Sequence, residues 1–420
     1  MMMIKDEQRK LPAGWHWAKL GDIYSPIRGV TFQSGEGKSS PFEYCIACIT
    51  TSGVQDKIDW DSRRFIPIQR LSDKNQTLQL GDIVVSTANS KALVGKSCLV
   101  SEIPFPCTFG AFVTVFRPIS HDIDANFLAY WFRSPETLAY FYEVSANTTN
   151  ISNLRVSDIL AREIPLPPLT EQQRIAARLN EQMSMVAQAR QAAEAQLRAA
   201  RELPSAQLRE VFESQEAKKW HQQRLAEVSE IISGITLGRK LFDIQTRKVP
   251  YLRVANVKDG FLDLSDVYQL DATDADIAKC ALKYGDLLLT EGGDPDKLGR
   301  GTFWEEQIPE CLHQNHIFRV RFDLAKISPR FMAHQVGSPY GKAYFLAHAK
   351  QTTGIATINQ KVLGNFPLLI PPFAEQEKIA AAIKEKLAEA ESLKQALKAQ
   401  LAEINQLPSA LLRRAFAGEL

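Results

Sequence analysis

Two stretches of the chain carry an apolar residue at every seventh position. In the later stretch Ile383, Ala390, Leu397, Ile404 and Leu411 form the stripe, with Leu387, Leu393, Leu401 and Leu407 at flanking positions. In the earlier one Leu179, Val186, Ala193 and Ala200 stand at the matching positions beside Met183, Leu197 and Leu203. A seven-residue apolar period keeps one face of a helix pointed at a neighbouring helix, so each stretch predicts a coiled-coil seam. Both are rich in Ala, Glu, Gln and Leu and lack Gly, and Thr170 followed by Gln173 is a capping pattern. A helix over 170–203 would be ~50 Å long at ~1.5 Å per residue. Because proline has no N–H to continue the ladder, Leu203-Pro204 and Leu407-Pro408 are expected to interrupt each helix before a short amphipathic turn ending in Phe212 or Phe416. The half-alanine stripe suits close helix approach. Ile175, Leu179, Val186 and Leu197, with Ile379, Ile383, Leu397 and Ile404, are read as seats for partner helices. The plainer reading is a two-helix prop between domains.

Elsewhere the apolar runs are short and lie between Gly-containing turns, as at 82–86, 111–117, 286–290 and 317–322. Such runs predict strands, and with the helical patches between them an α+β globule. The expected architecture is α+β: one globule at 1–168, a long helix at 169–216, a second globule at 217–372 and a second long helix at 373–420.

The two halves are copies of one unit. Pro167-Pro168-Leu169-Thr170-Glu171-Gln172 recurs as Pro371-Pro372-Phe373-Ala374-Glu375-Gln376, an offset of 204. At the same offset Gly81-Asp82 matches Gly285-Asp286, Gly95-Lys96 matches Gly299-Arg300, and Ser134-Pro135 matches Ser338-Pro339. Near the start the offset is 205: Trp15-His16 pairs with Trp220-His221 and Gly29 with Gly234. A helix pair alone could look repetitive through its composition; matches along the whole unit mean a tandem duplication.

Composition changes the picture only by exclusion. With 420 residues, 45% hydrophobic and 23% charged, the chain suits two or three globular domains. A net charge of +2 excludes a uniformly basic surface and leaves local patches. Residues 1–10 are charged with no apolar run behind them, so a soluble cytoplasmic protein without a membrane partner is expected. Six scattered cysteines read as reduced buried thiols. The Cys45/Cys48 pair lacks a second ligand pair, so no metal is expected.

Catalytic motifs are missing. Adenine methyl transfer needs a polar residue ahead of Pro-Pro-aromatic to hold the extruded base, and Ile370-Pro371-Pro372-Phe373 puts an aliphatic residue there. Gly37-Lys38-Ser39 and Gly95-Lys96-Ser97 resemble the end of a phosphate loop, but Phe32 and Ser90 stand where its first glycine must be. No catalytic residue is assigned.

Several segments carry a resemblance covering essentially the full length. They are Leu11-Pro12-Ala13-Gly14-Trp15 leading to Leu20-Gly21-Asp22-Ile23, Gly285-Asp286-Leu287-Leu288-Leu289-Thr290-Glu291-Gly292-Gly293, His313-Gln314-Asn315-His316-Ile317-Phe318-Arg319-Val320, and the terminal Ala415-Phe416-Ala417-Gly418-Glu419-Leu420. In order and duplication they resemble the specificity subunits of type I restriction-modification systems. The resemblance implies two target-recognition domains, each reading half of a split double-stranded DNA sequence, held apart by two antiparallel helices. It also implies two modification subunits that bring S-adenosylmethionine and the methylating site and, optionally, two restriction subunits that use ATP and Mg. This chain would bind no cofactor itself. Thr87-Ala88-Asn89-Ser90 replaces the Glu-Gly-Gly turn in the first copy. The alternative is a coiled-coil scaffold for protein assemblies that does not bind DNA.

Base edges are read by forked or paired hydrogen bonds, whereas Lys and Arg on phosphates add affinity without sequence information. In the first copy the candidates for DNA contact are Thr31, Gln33 and Lys38, then Asn89, Lys91 and Lys96, then Asn147, Thr149 and Asn150. In the second they are Arg239 and Lys240, Lys297 and Arg300, His313, Asn315 and His316, and Gln351 and Thr352. His313 and Asn315 are expected on one strand face, with Gln314 and His316 on the other. For every loop the bland alternative is a solvated turn. Trp15, Trp220, Tyr44 and Tyr251 are expected in cores.

Overall fold

The computed structural model describes residues 11–420 except 34, 121, 148–150, 240–243, 295–297 and 353. It divides into two compact units, one of Met1–Ala193 with Gln400–Leu420, the other of Glu194–Ala399. Each unit therefore holds one globule, the start of the helix that leaves it, and the closing turns of the other long helix.

In the first unit a four-stranded antiparallel sheet runs in the order Tyr24–Arg28, Val113–Pro118, Ile83–Ser86, Ser97–Leu99. Every residue of Ile83–Ser86 is buried because both faces are covered. Ile83 and Val85 join Phe116, Phe127 and Phe141 in the helical core, and Val84 joins Val113, Val115 and Phe109 in a second core on the other side. That second core lies against a three-stranded sheet of Arg64–Pro67, Cys45–Ile49 and Cys107–Phe109, the last two parallel. The second unit repeats the pattern: Ser229–Ser233, Ile317–Phe322, Leu287–Thr290 and Gly301–Phe303 form one sheet, and Tyr268–Ala272, Arg247–Leu252 and Leu312–His313 the other.

Paired devices hold both copies in one geometry. Asp82 and Asp286 are fully buried and each accepts a two-pronged bond from an arginine, Arg117 at 2.8 and 2.8 Å and Arg321 at 2.7 and 2.6 Å. The Gln172 and Gln376 side chains anchor the long helices. Gln172 Oε1 accepts from Asp124 N, and its Nε2 donates to Asp122 O and Pro167 O; Gln376 does the same with Ser328 N, Lys326 O and Pro371 O. This is the physical content of the repeated Glu-Gln motif. Gly95 and Gly299 both have a positive φ, and a Cβ at either would collide with Phe141 or Phe345, so the repeated glycine is required by the fold.

The long helices, Leu169–Phe212 and Phe373–Phe416, are 44 residues each and run through Pro204 and Pro408 without stopping. The expected interruption does not occur. A proline inside a helix costs about 3 kcal/mol, and burial of the residues beyond it offsets this. Leu208, Val211 and Phe212 pack in the second unit's core, and Leu411, Leu412, Ala415 and Phe416 in the first's.

Most of the predicted partner-helix seats are likewise occupied from within. Ile175 and Leu179 sit in the first core, Ile379 and Ile383 in the second, and Leu197, Leu397 and Ile404 are buried; Val186 is half-buried. A stripe read as open to other proteins closes this chain's own interior, because a heptad pattern reports that a face is covered without saying by what.

Among the described residues no helix is long and apolar enough to cross a membrane, and no group of three or more His, Cys, Asp or Glu could hold a metal ion. All six cysteines are free, and burial pushes the Cys48, Cys98, Cys107 and Cys311 thiols up to about 12. Tyr251 is a core residue as expected, while Trp15 and Trp220 are half-buried against the cores. Tyr44 is not in a core: it stands 70% exposed with φ 56°.

Candidate nucleic-acid interface

Segments far apart in sequence meet on one edge of each globule. In the first unit Ala146–Asn147, Ser152–Asn153 and Ala88–Asn89 form a small three-stranded sheet. Beside it, the carbonyl of Phe112 accepts from Thr87 N at 3.0 Å and Ala88 N at 3.3 Å, and the exposed Phe112 lines one pocket with Thr31, Phe32 and Thr50. Three loops chosen separately by composition thus share one surface. The second unit builds the same edge from Lys350–Thr352, Ile355–Thr357 and Gly292–Gly293. There Glu291 N donates to His316 O at 2.9 Å, the counterpart of the Thr87–Phe112 bond.

The predicted contact residues separate on this frame. Thr31, Gln33, Gln351 and Thr352 are exposed, Asn315 is half-buried and His316 exposed. Asn89 is on the small sheet but uses its side chain locally, donating to Ser86 Oγ and accepting from Ser90 N. Lys91 lies over the Tyr142 ring at 4.7 Å. Lys38 is on another edge, its backbone paired with Phe65 and its ammonium over Phe42. Lys96 bonds Gln55, and Arg300 is half-buried. Arg239 is engaged by Asp276 through bonds of 3.0 and 2.8 Å, and this partner holds the Asp276 carboxyl down at about 2. Thr149, Asn150, Lys240 and Lys297, and the side chain of Asn147, lie outside the described residues.

His313 is a correction. It is fully buried, with Nδ1 donating to Ile317 O at 3.0 Å, so it cannot meet DNA. The strand ends at His313 and the chain turns, Ile317 N bonding Gln314 O. The strand alternation expected across 313–316 therefore does not apply, and Asn315 and His316 come out together. The sequence reading missed Glu291, Phe112 and Lys350. The signal for the first two was available: they fall at positions where the aligned copies differ in chemistry, Thr87 against Glu291 and Phe112 against His316.

Burial pushes the His313 imidazole down to about 4, and burial and Arg330 hold His334 near 4 as well. The folded-state value of His313 lies below the unfolded value near 6.5, so the unfolded chain binds more protons between those limits. Stability is full above pH 6.5 and falls as pH drops towards 4, by up to ~3 kcal/mol for His313. Acid titration followed by amide exchange should show the second unit weakening first across that window. His313→Phe, matching the buried Phe109, should lower the slope by His313's share and leave that of His334; an unchanged slope would exclude His313 as a source.

The family model for the type I restriction modification DNA specificity domain matches residues 12–190 and again 217–403. The chain belongs to this family of specificity subunits. The EcoKI specificity subunit of Escherichia coli K12 is 27% identical over 423 residues, spanning 98% of this chain and 90% of that protein. The StySPI specificity subunit of Salmonella potsdam is 26% identical over the same spans. The HsdS subunit of Thermoanaerobacter tengcongensis shares the fold, with a TM-score of 0.64 at 21% identity over 98% of this chain and 99% of that one. A chain solved in work on complex assembly and conformational transition of the type I R-M system gives 0.68 at 21% identity, over 98% and 100%. DNA target recognition is the work of this specificity-subunit family, and the two matches fall on the two copies read from the sequence.

Proposed function

We propose that this specificity subunit reads a split DNA sequence in the cytoplasm, one block per globule, and docks two methyltransferase subunits that carry the S-adenosylmethionine chemistry. Restriction subunits using ATP and Mg would join the same assembly. The chain itself does no catalysis in this reading. The observation that carries it is the contrast between frame and edge. Asp–Arg pairs, helix-anchoring glutamines and glycine contacts recur in both copies, while the edge changes from the exposed Ala111 and Phe112, beside the buried Thr87, to the exposed His316 with the half-buried Asn315 and Glu291. A conserved frame with a changed polar inventory is what two different sequences require. Two similar frames in one chain also offer two similar docking surfaces to two copies of one partner.

The test is selection from random double-stranded DNA by the chain with the methyltransferase subunits that co-purify with it. Two blocks separated by a constant spacer are expected. Seven residues inserted at matched positions in both helices keep the apolar stripe in register and lengthen each rod by ~10 Å, so the preferred spacer should change. Enrichment of one contiguous block, or a spacer indifferent to the insertion, would contradict the reading.

A further inference from the structure

The second globule's edge contains a hydrogen-bonded chain with no counterpart in the first. Glu291 Oε2 lies 2.6 Å from His316 Nδ1, and Asn315 Nδ2 lies 3.2 Å from His316 Nε2. At the equivalent positions the first copy has Thr87, Phe112 and Ala111. The order of donors follows from the carboxylate. A carboxylate at Glu291 only accepts, so the imidazole donates its Nδ1 proton there, and the Asn315 amide nitrogen facing Nε2 makes that atom the acceptor. Nε2 is then a lone pair, and it accepts one amide hydrogen from Asn315. The network thereby fixes which way round the amide lies.

Fixing the amide leaves a defined edge. Asn315 retains Oδ1 as an acceptor and its second amide hydrogen as a donor. Adenine presents the complementary pair in the major groove, the N6 amino group as donor and N7 as acceptor, whereas guanine presents two acceptors to the same reach. The backbone holds this edge in place, with Asn315 N donating to Ile235 O at 3.0 Å and Glu291 N to His316 O at 2.9 Å. Glu291 continues directly into the small sheet that carries Gln351 and Thr352.

We propose that Asn315 reads one adenine in the half-site of the second globule, and that Glu291 and His316 are positioning residues that preset its amide. This rests on the DNA-reading function proposed above and adds the base and the residue. The experiment uses the full chain with its co-purifying methyltransferase subunits. A selected site is first obtained, and competition binding then scores every single base substitution in it. In Asn315→Ala, preference for adenine over other bases at one position of one half-site should fall roughly 5- to 160-fold, the equivalent of ~1–3 kcal/mol for a two-pronged base contact. The other half-site and affinity for unrelated DNA should not change, the latter showing that the variant is folded. Glu291→Ala should relax the same position, and Glu291→Gln, which keeps an acceptor for Nδ1–H, should restore it; a merely structural role would not move one base preference. If Asn315→Ala selects the wild-type site with wild-type stringency, this proposal is overturned while split-site reading stands. If the wild-type chain selects no site, both fall together.

Discussion

Asp286→Ala should destabilise the second unit by about 3–5 kcal/mol, the usual consequence of removing one partner from a buried ion pair. Asp286 is wholly buried, and besides Arg321 it accepts from Lys283 N at 2.8 Å, while Arg321 also donates to Ala281 O at 3.1 Å. The substitution strands a guanidinium with 26% of its side chain exposed and leaves a turn amide without its acceptor. Deuterium exchange across Leu287–Thr290 and Ile317–Phe322 would report the loss locally, without interference from the first unit. The double variant Asp286→Ala/Arg321→Met should regain much of it, since an apolar pair of similar volume avoids desolvating charge. A single-variant cost under about 1 kcal/mol would place the pair with exposed salt bridges, contrary to its burial.

The second large effect acts at a distance along the sequence. The first unit's core includes Leu412, Ala415 and Phe416 from the far end of the chain, with the Phe416 ring 5.2 Å from that of Phe127. Phe416→Ala should cost the first unit about 3 kcal/mol, the low end for a large aromatic because a little of the ring is exposed. Removing residues 408–420 should cost more than 5 kcal/mol, comparable with the whole stability of an ordinary domain. Limited proteolysis should then cleave within residues 20–166 while Glu194–Ala399 stays resistant. Equal sensitivity of both units, or resistance of the first, would show that the closing turns of the helix are dispensable.

The duplication, the long helices and the mixed globules were all legible because they depend on period and repetition, which survive without coordinates. Continuation through Pro204 was not, since a local penalty was outweighed by burial of Phe212, whose partner Phe331 is more than a hundred residues away. The Asp82–Arg117 and Asp286–Arg321 pairs were half-visible: Gly-Asp was recognised at the repeat offset, but its arginine, 35 residues on, was not. In the candidate interface, loop composition found residues on the shared edge, such as Thr31 and Gln351, and others, such as Lys38, that lie away from it. Meeting of the 88–89, 146–147 and 152–153 segments is a tertiary event with no local signature. His313 failed for a geometric reason, because a period-two rule was carried past the end of its strand.

Each core is finished by the last turns of the other repeat's rod. A single repeat, cut free, would leave the Phe127 or Phe331 side of its globule bare, and two such pieces trading their tips would rebuild both interiors. The arrangement is that of two equal pieces exchanging their ends, here joined in one polypeptide.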